Sequence, residues 1–490
     1  MTTEKLVVFP ACSAPGPVQA AKQDKIISKT WSFATPRLLL RESPTRSETS
    51  SWGEVLHIAI IGSGISGLVC ARLLSRDHDV TVFESAGHVG GHAHTVSIDL
   101  DGQSYDVDTG FLVYNDRTYP VFSQMLRDLC VDTVPTSMSF SVRCDRSGLE
   151  YNGTSLNGIF AQRQNSLRPT FWKMLRDIGR FNRNGSRDFS TLPDDLTVGD
   201  YLTTGGYSAA FAQQYLLPMG AAIWSCPREA FLQFPIRFIL EFYHHHGLLS
   251  LTDRPIWRTV AGGSKHYVDK LISPFRDKIR CNHPVSRVRR MESEVIVSHV
   301  GGSEAFDEVI FACHSDQALR LLDDPDELET ELLTSFPYSD NTAVLHTDSS
   351  ILPQRRRAWA SWNYRIFRRP ETRPTVTYLL NHLQGVRSPH SLCVTLNAED
   401  MIDPAHVLRR FRYSHPVFTT ERAAVQQQHG SVIRRRRTSY CGAYWRNGFH
   451  EDGVVSGLAV CRRFGIPGWS SDQATLHRPA TVAANRDAAS

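Results

Sequence analysis

The alternation of apolar and polar positions changes abruptly at residue 55. His57-Ile58-Ala59-Ile60-Ile61 is a short β-branched run of the kind that forms a strand buried on both faces. Gly62-Ser63-Gly64-Ile65-Ser66-Gly67 follows, then a helical stretch from Leu68 to Ser75, then a second strand, Val80 to Phe83, ending at Glu84. Ile98 to Val107 alternates as a hairpin with Asp101-Gly102 at its turn. From about 119 to 267 the pattern predicts mainly helices, rich in aromatics and broken by Pro and Gly. Strand signals return at 285–289, 295–300 and 309–312, and a mixture of short strands, among them 375–380 and 392–396, fills 341–417. A last strand at 438–441 leads through a Gly-rich turn to a helix over 454–463. There is no internal repeat.

Strand, glycine turn, helix, strand and acid in this order form the dinucleotide-binding fingerprint in its required context. Gly62 permits the tight turn, Gly64 lets backbone approach a pyrophosphate, and Gly67 lets the helix pack close to the strand. The helix start offers free N–H groups and a positive dipole end to phosphate, with Ser63, Ile65 and Ser66 in the loop. Glu84 stands 17 residues past Gly67, near the ~20 expected for the acid that accepts ribose hydroxyls. An acid there, followed by Ser85, disfavours a 2′-phosphate and hence NADP. The fingerprint alone does not separate FAD from NAD.

Further segments bear on that choice. Val89-Gly90-Gly91-His92 brings a second glycine pair toward the phosphates of an extended cofactor. Asp106-Val107-Asp108-Thr109-Gly110-Phe111, Pro284-Val285, and Tyr440-Cys441-Gly442 with Gly448-Phe449-His450-Glu451-Asp452-Gly453-Val454 complete a set. As a set they resemble the flavin-containing amine oxidase superfamily, which includes protoporphyrinogen oxidases and phytoene-desaturase-like enzymes. The resemblance runs over most of 55–465 and extends to a subgroup of predicted NAD/FAD-binding oxidoreductases marked by G-x-G-I-S-G, V-G-G-H and C-G-A-Y-W…G-F-H-E-D-G.

This resemblance implies an α/β fold: a Rossmann-type FAD-binding domain with a parallel sheet in three layers, and a second, mixed α+β substrate domain. It implies FAD, with Gly110 and Phe111 near the ring system, Val285 touching the adenine, and Gly442, Glu451, Asp452, Gly453 and Val454 closing over the flavin. There a helix N-terminus would stabilise the charge that reduced flavin gathers on its pyrimidine edge. Two departures stand out. His92 replaces the arginine of the usual V-G-G-R, so a permanent charge becomes a titratable ring. The glutamate usual after the closing glycine is missing, because Ala443, Tyr444 and Trp445 follow Gly442. No cysteine stands where some relatives attach flavin, so the expected binding is non-covalent.

At 490 residues the chain exceeds one ordinary domain. The expected division gives a discontinuous FAD half, 55–114 with 254–322 and 434–464, and a substrate half, 115–253 with 323–433. Residues 1–54, rich in Pro, Ser, Thr and Lys, read as a disordered extension, a transit peptide or an upstream start, and 465–490 as a loose tail. A net charge of +4 does not suggest nucleic acid. Arg355 to Arg357 and Arg434 to Arg437 are runs that read either as solvated loop or as contacts with an anionic membrane. The segment 423–437 reads as poorly ordered. Ten scattered cysteines without a C-x-x-C pair suggest a reduced, cytoplasmic protein.

His244-His245-His246 points around a helix rather than along one face and lacks a carboxylate partner, so no metal is expected. Lys265 is a weak catalytic candidate, and the catalytic residues are otherwise unassigned. Trp359, Trp362, Tyr364, Tyr444 and Trp445 read as core or as walls of an apolar cavity. That cast favours hydride removal from a lipid-like or polyene substrate. An amine or polyamine oxidase and a flavin-binding scaffold without turnover are the alternatives.

Overall fold

The computed structural model describes residues 55–469 except 190, 251–253, 369–372 and 420. The extension 1–54 and most of the expected tail lie outside the described residues.

The β-branched run forms β1 (His57–Ile61), buried almost throughout. The glycine turn and α1 (Ile65–Leu74) lead to β2 (Asp79–Phe83). Helix α1 begins three residues before the expected Leu68, because the turn closes within Gly62–Gly64. β1 is the middle of a five-stranded parallel sheet, ordered Ile279–Arg280, β2, β1, Glu308–Phe311 and Thr438–Tyr440. Ile58 on β1 thus pairs with Glu308, 250 residues further along the chain, and the last strand, Thr438–Tyr440, closes the same sheet.

Close helix packing fixes the site's geometry. A Cβ on Gly67 would stand 2.1 Å from the Gly62 carbonyl oxygen, so only glycine lets α1 begin so near the strand end. The C-terminal helix His450–Arg463 lies against α1, and a Cβ on Gly453 would stand 2.7 Å from the Ile65 side chain. Two helix starts therefore meet beside the carboxyl end of the sheet, the place where open α/β sheets bind ligands.

A seven-stranded sheet dominates the other half, ordered Val407–Pro416, Tyr338–His346, Cys393–Leu396, Thr375–Leu379, Trp362–Ile366, Phe140–Cys144 and Leu149–Asn152. Its apolar face and the helices between 156 and 245 enclose the largest core cluster. The hairpin Phe140–Cys144 with Leu149–Asn152 corrects the mainly helical reading of 119–267. Its partner, Trp362–Ile366, is more than 200 residues away, so local periodicity carried little trace of it. The 98–107 hairpin forms as Thr95–Leu100 with Gln103–Asp108, turning at Asp101 and Gly102, both at positive φ as a type I′ turn requires.

The segment 423–437, expected to be poorly ordered, instead holds a helix, Arg422–Gln427, and a tightly tied arginine run. Arg434 pairs with Glu308 (2.9 Å), Arg435 with Asp326 (3.0 Å) and Arg436 with Asp324. Beneath this run Arg290 makes a bidentate pair with fully buried Glu329 (2.6 and 2.9 Å), which also accepts the Tyr440 hydroxyl (2.9 Å). Removing one partner of such a pair costs about 3–5 kcal/mol, since the other is left charged and dry. These arginines tie the last strand to its neighbours.

Candidate active site

A cavity of ≈ 970 Å³ runs from the glycine turn into the second half of the molecule. It stands at the upper end of the ~300–1,000 Å³ found for small-molecule sites. Gly62, Ser63, Gly64, Ile65 and Ser66 line one end, and Gly90, Gly91 and His92 face them. A backbone bridge between Gly64 and Gly90 holds the two loops together. A Cβ on Gly64 would meet nothing within 4 Å, so the cavity begins at that backbone.

Glu84 and Ser85 line the same end. One Glu84 oxygen accepts the Ser63 N–H (2.9 Å) and hydroxyl (2.6 Å), and the other accepts the Ala86 N–H (2.8 Å) and the Ser85 hydroxyl (3.3 Å). The backbone donors pin the carboxylate at the end of β2. Both serine hydroxyls can rotate away and leave lone pairs for a ribose. Gly67 stands off the cavity, its work being the packing of α1.

Gly110, Phe111 and Gly442 line the middle of the cavity, beside Gly448, Phe449 and His450 at the start of the C-terminal helix. Phe111 stacks on His450 with ring centres 3.8 Å apart, and His450 Nε2 meets the Tyr267 hydroxyl at 2.7 Å. Burial pushes His450 down to about 3, so the ring is neutral.

The rest of the closing motif acts through the backbone. Glu451 accepts the N–H groups of Val121 (3.0 Å) and Phe122 (2.8 Å), capping the helix Pro120–Asp128. Asp452 accepts the Phe449 N–H (2.9 Å), and burial raises it to about 6. Gly453 packs on α1, and Val454 is fully buried in the core between these helices. None of the four lines the cavity, and neither does Val285, which begins the strand Val285–Arg290. Glu451, Asp452 and Gly453 support the elements that make the wall.

His92 lies inside the molecule, its ring 5.0 Å from Tyr413, 5.3 Å from His415 and 6.3 Å from His314. Burial first, and the neighbouring histidines next, hold it well below the usual imidazole range. Its Nε2 has no hydrogen-bond partner among the described residues. A buried, unpartnered ring nitrogen on a cavity wall is suited to a ligand's polar atom. Sequence reasoning missed His314, His415 and Tyr413, which come from distant segments with no motif of their own.

Of the aromatic candidates, Trp362 and Tyr444 line the cavity, while Trp359, Tyr364 and Trp445 pack elsewhere. Lys265 is tied to Asp106 at 2.7 Å, away from the cavity, which removes it from the chemistry. His246 lines the cavity, but its Nδ1 is held by the Phe242 carbonyl (2.8 Å). His94 stacks on His88 at 3.9 Å and serves the wall behind.

The residues present fit FAD. Two glycine loops and a helix start suit the pyrophosphate, Glu84 suits the ribose, and a second helix start lies where the ring system would end. Residues 65–349 match the family described as flavin containing amine oxidoreductase. Among individual relatives, amine oxidase [flavin-containing] A of Canis lupus familiaris is 21% identical over 262 residues, 52% of this chain and 48% of that protein. Probable polyamine oxidase 4 of Arabidopsis thaliana is 28% identical over 262 residues, 50% of this chain and 48% of its own. The chain spans about half the length of the curated relatives it matches. The crystal structure of a CLA-producing fatty acid isomerase from P. acnes superposes with a TM-score of 0.59 at 16% identity, covering 84% of this chain and 99% of that one. With the family matched over more than half its length, the chain belongs to the flavin containing amine oxidoreductases, a family of FAD-dependent oxidoreductases.

Proposed function

We propose that the protein removes a hydride from an apolar, lipid-like or polyene substrate, in the manner of a desaturase or carbon-centred oxidase. The observation that carries this reading is the charge of the cavity beyond the nucleotide end. Met138, Phe140, Met219, Ile223, Leu248 and Trp362 line it, and Glu84 is the single carboxylate on the whole described wall. A cationic amine would find no counter-charge there. Nor do the aromatic rings open as a cage. Phe242 stacks on His246 (3.7 Å) and on Phe449 (4.9 Å), so their faces are spent on each other rather than on a cation.

Bound FAD supplies the hydride acceptor. The chain's own part is to orient and to exclude water. The apolar wall holds a chain-like substrate, and neutral His450, fixed by Tyr267 and Phe111, keeps a shape without adding charge. Cys313 is the one cysteine among the described wall residues, and burial pushes its thiol up to about 12, so it stays protonated. A protonated thiol is a poor nucleophile, which supports non-covalent attachment of the cofactor.

The test is anaerobic bleaching of the flavin's visible band. Unsaturated acyl chains and polyenes should bleach it and benzylamine and spermidine should not. Rapid reduction by an amine, with none by any acyl chain or polyene, would transfer the assignment to amine oxidation. Acid release of the chromophore separates non-covalent from covalent attachment.

A further inference from the structure

No helix among the described residues is long and apolar enough to cross a membrane. Arg434, Arg435 and Arg436 make ion pairs, Arg437 donates to the Glu292 and Asp307 carbonyls, and Arg356 lies over the Trp359 ring. A different surface has the opposite character. Leu156, Leu167 and Trp172 are 77%, 83% and 51% exposed, although large apolar side chains generally lie inside. They come from three consecutive short elements, Leu156–Ile159, Arg163–Leu167 and the start of Pro169–Asp188. Local contacts make one patch of them. The Phe160 and Trp172 rings are 5.7 Å apart, Trp172 Nε1 donates to the Ser166 carbonyl (2.8 Å), and Arg163 donates to Asn157 (3.2 Å).

The charge on this patch has one sign. From Leu156 to Arg176 the chain carries Arg163, Arg168, Lys173 and Arg176 and not one carboxylate. The flanking acids, Glu150 and Asp177, are buried, accept backbone N–H groups, and pair with Arg143 (3.8 Å) and Arg180 (3.5 Å) respectively. Arg163, Arg168 and Lys173 form no ion pair with a described carboxylate. Exposed Leu and Trp among uncompensated cations is the composition of a surface that lies on an anionic bilayer, with rings and methyls entering the headgroup layer.

The position relative to the cavity agrees. Thr154, two residues before Leu156, lines the cavity, as does Ile256, which is 69% exposed. We propose that the surface formed by residues 156–176 docks the protein on an anionic lipid bilayer beside the cavity mouth. Docking by this surface does not depend on the nature of the substrate.

The experiment is sedimentation of the full-length, FAD-saturated protein with vesicles of phosphatidylcholine alone or containing phosphatidylserine. Binding should require phosphatidylserine and weaken as salt is raised. Each cation removed should lower partitioning about fivefold, so R163Q with K173Q should lower it about 25-fold. Leu167→Ser with Trp172→Ser should lower it further, and unchanged flavin content would show that these variants fold. Failure of the wild type to sediment with anionic vesicles, or equal binding by all variants, overturns the proposal. So does a change from dimer to monomer on mutating the patch without any vesicle binding, since a second copy would then be its occupant.

Discussion

Replacing Gly64 with alanine separates folding from cofactor binding in one methyl group. The residue has φ −67° and ψ 173°, which any L-residue adopts, and an added Cβ meets nothing within 4 Å. Losing glycine's freedom in the unfolded chain should then stabilise the protein by about 0.4–1 kcal/mol. The methyl, however, would occupy the cavity at the start of α1, where backbone must approach a pyrophosphate. Forcing a methyl into a close-packed contact costs about 1–3 kcal/mol, or roughly 5- to 150-fold in affinity. Gly67→Ala is the control, because its Cβ would lie 2.1 Å from a backbone oxygen and the fold itself must give way. The assay is titration of apoprotein with FAD, followed by flavin fluorescence, beside a thermal melt of each apoprotein. The expected pattern is an intact melt with weak binding for Gly64→Ala, and a lowered melt for Gly67→Ala. Wild-type FAD affinity in Gly64→Ala would refute the placement of the phosphates at this turn.

Two more predictions concern stability. Glu451→Ala should cost about 1–2 kcal/mol through lost capping of the helix Pro120–Asp128, read as a lower melting temperature with flavin stoichiometry retained; loss of flavin without loss of stability would return Glu451 to the cofactor. Acid should destabilise the protein well before its carboxylates titrate. Burial lowers His246 and His346 from 6.5 to about 4, so the unfolded chain binds protons that the folded one refuses. Their contribution is complete above pH 6.5 and lost as pH falls toward 4, about 2 kcal/mol each by pH 5. Asp452, raised to about 6, works oppositely and returns about 1 kcal/mol at pH 5. These three groups give a loss of about 3 kcal/mol, and buried His415, His429 and His450 add in the same direction, so urea melts at pH 5 should show at least that loss against pH 7.5; equal midpoints would disprove it.

The chain by itself determined what depends on neighbours in sequence. β1, the glycine turn, α1, β2 and Glu84 form one continuous unit, and a strand followed by Gly62, Gly64 and Gly67 has few other ways to satisfy its backbone. The Asp101-Gly102 hairpin is local for the same reason. Only the tertiary structure decided which motif residues face the cavity. Glu451 and Gly453 stand in the same motif as His450, yet His450 looks into the cavity, Glu451 caps a distant helix and Gly453 lets two helices touch. A helix turns about 100° per residue, so adjacent letters face different neighbours, and those neighbours come from elsewhere in the chain. The cluster of His92, His314 and His415 follows the same logic: three rings from three segments become one wall when the two halves close on each other. The 140–152 hairpin and the unpaired state of Arg163, Arg168 and Lys173 likewise depended on the tertiary structure, which set the strand partners and buried the neighbouring acids.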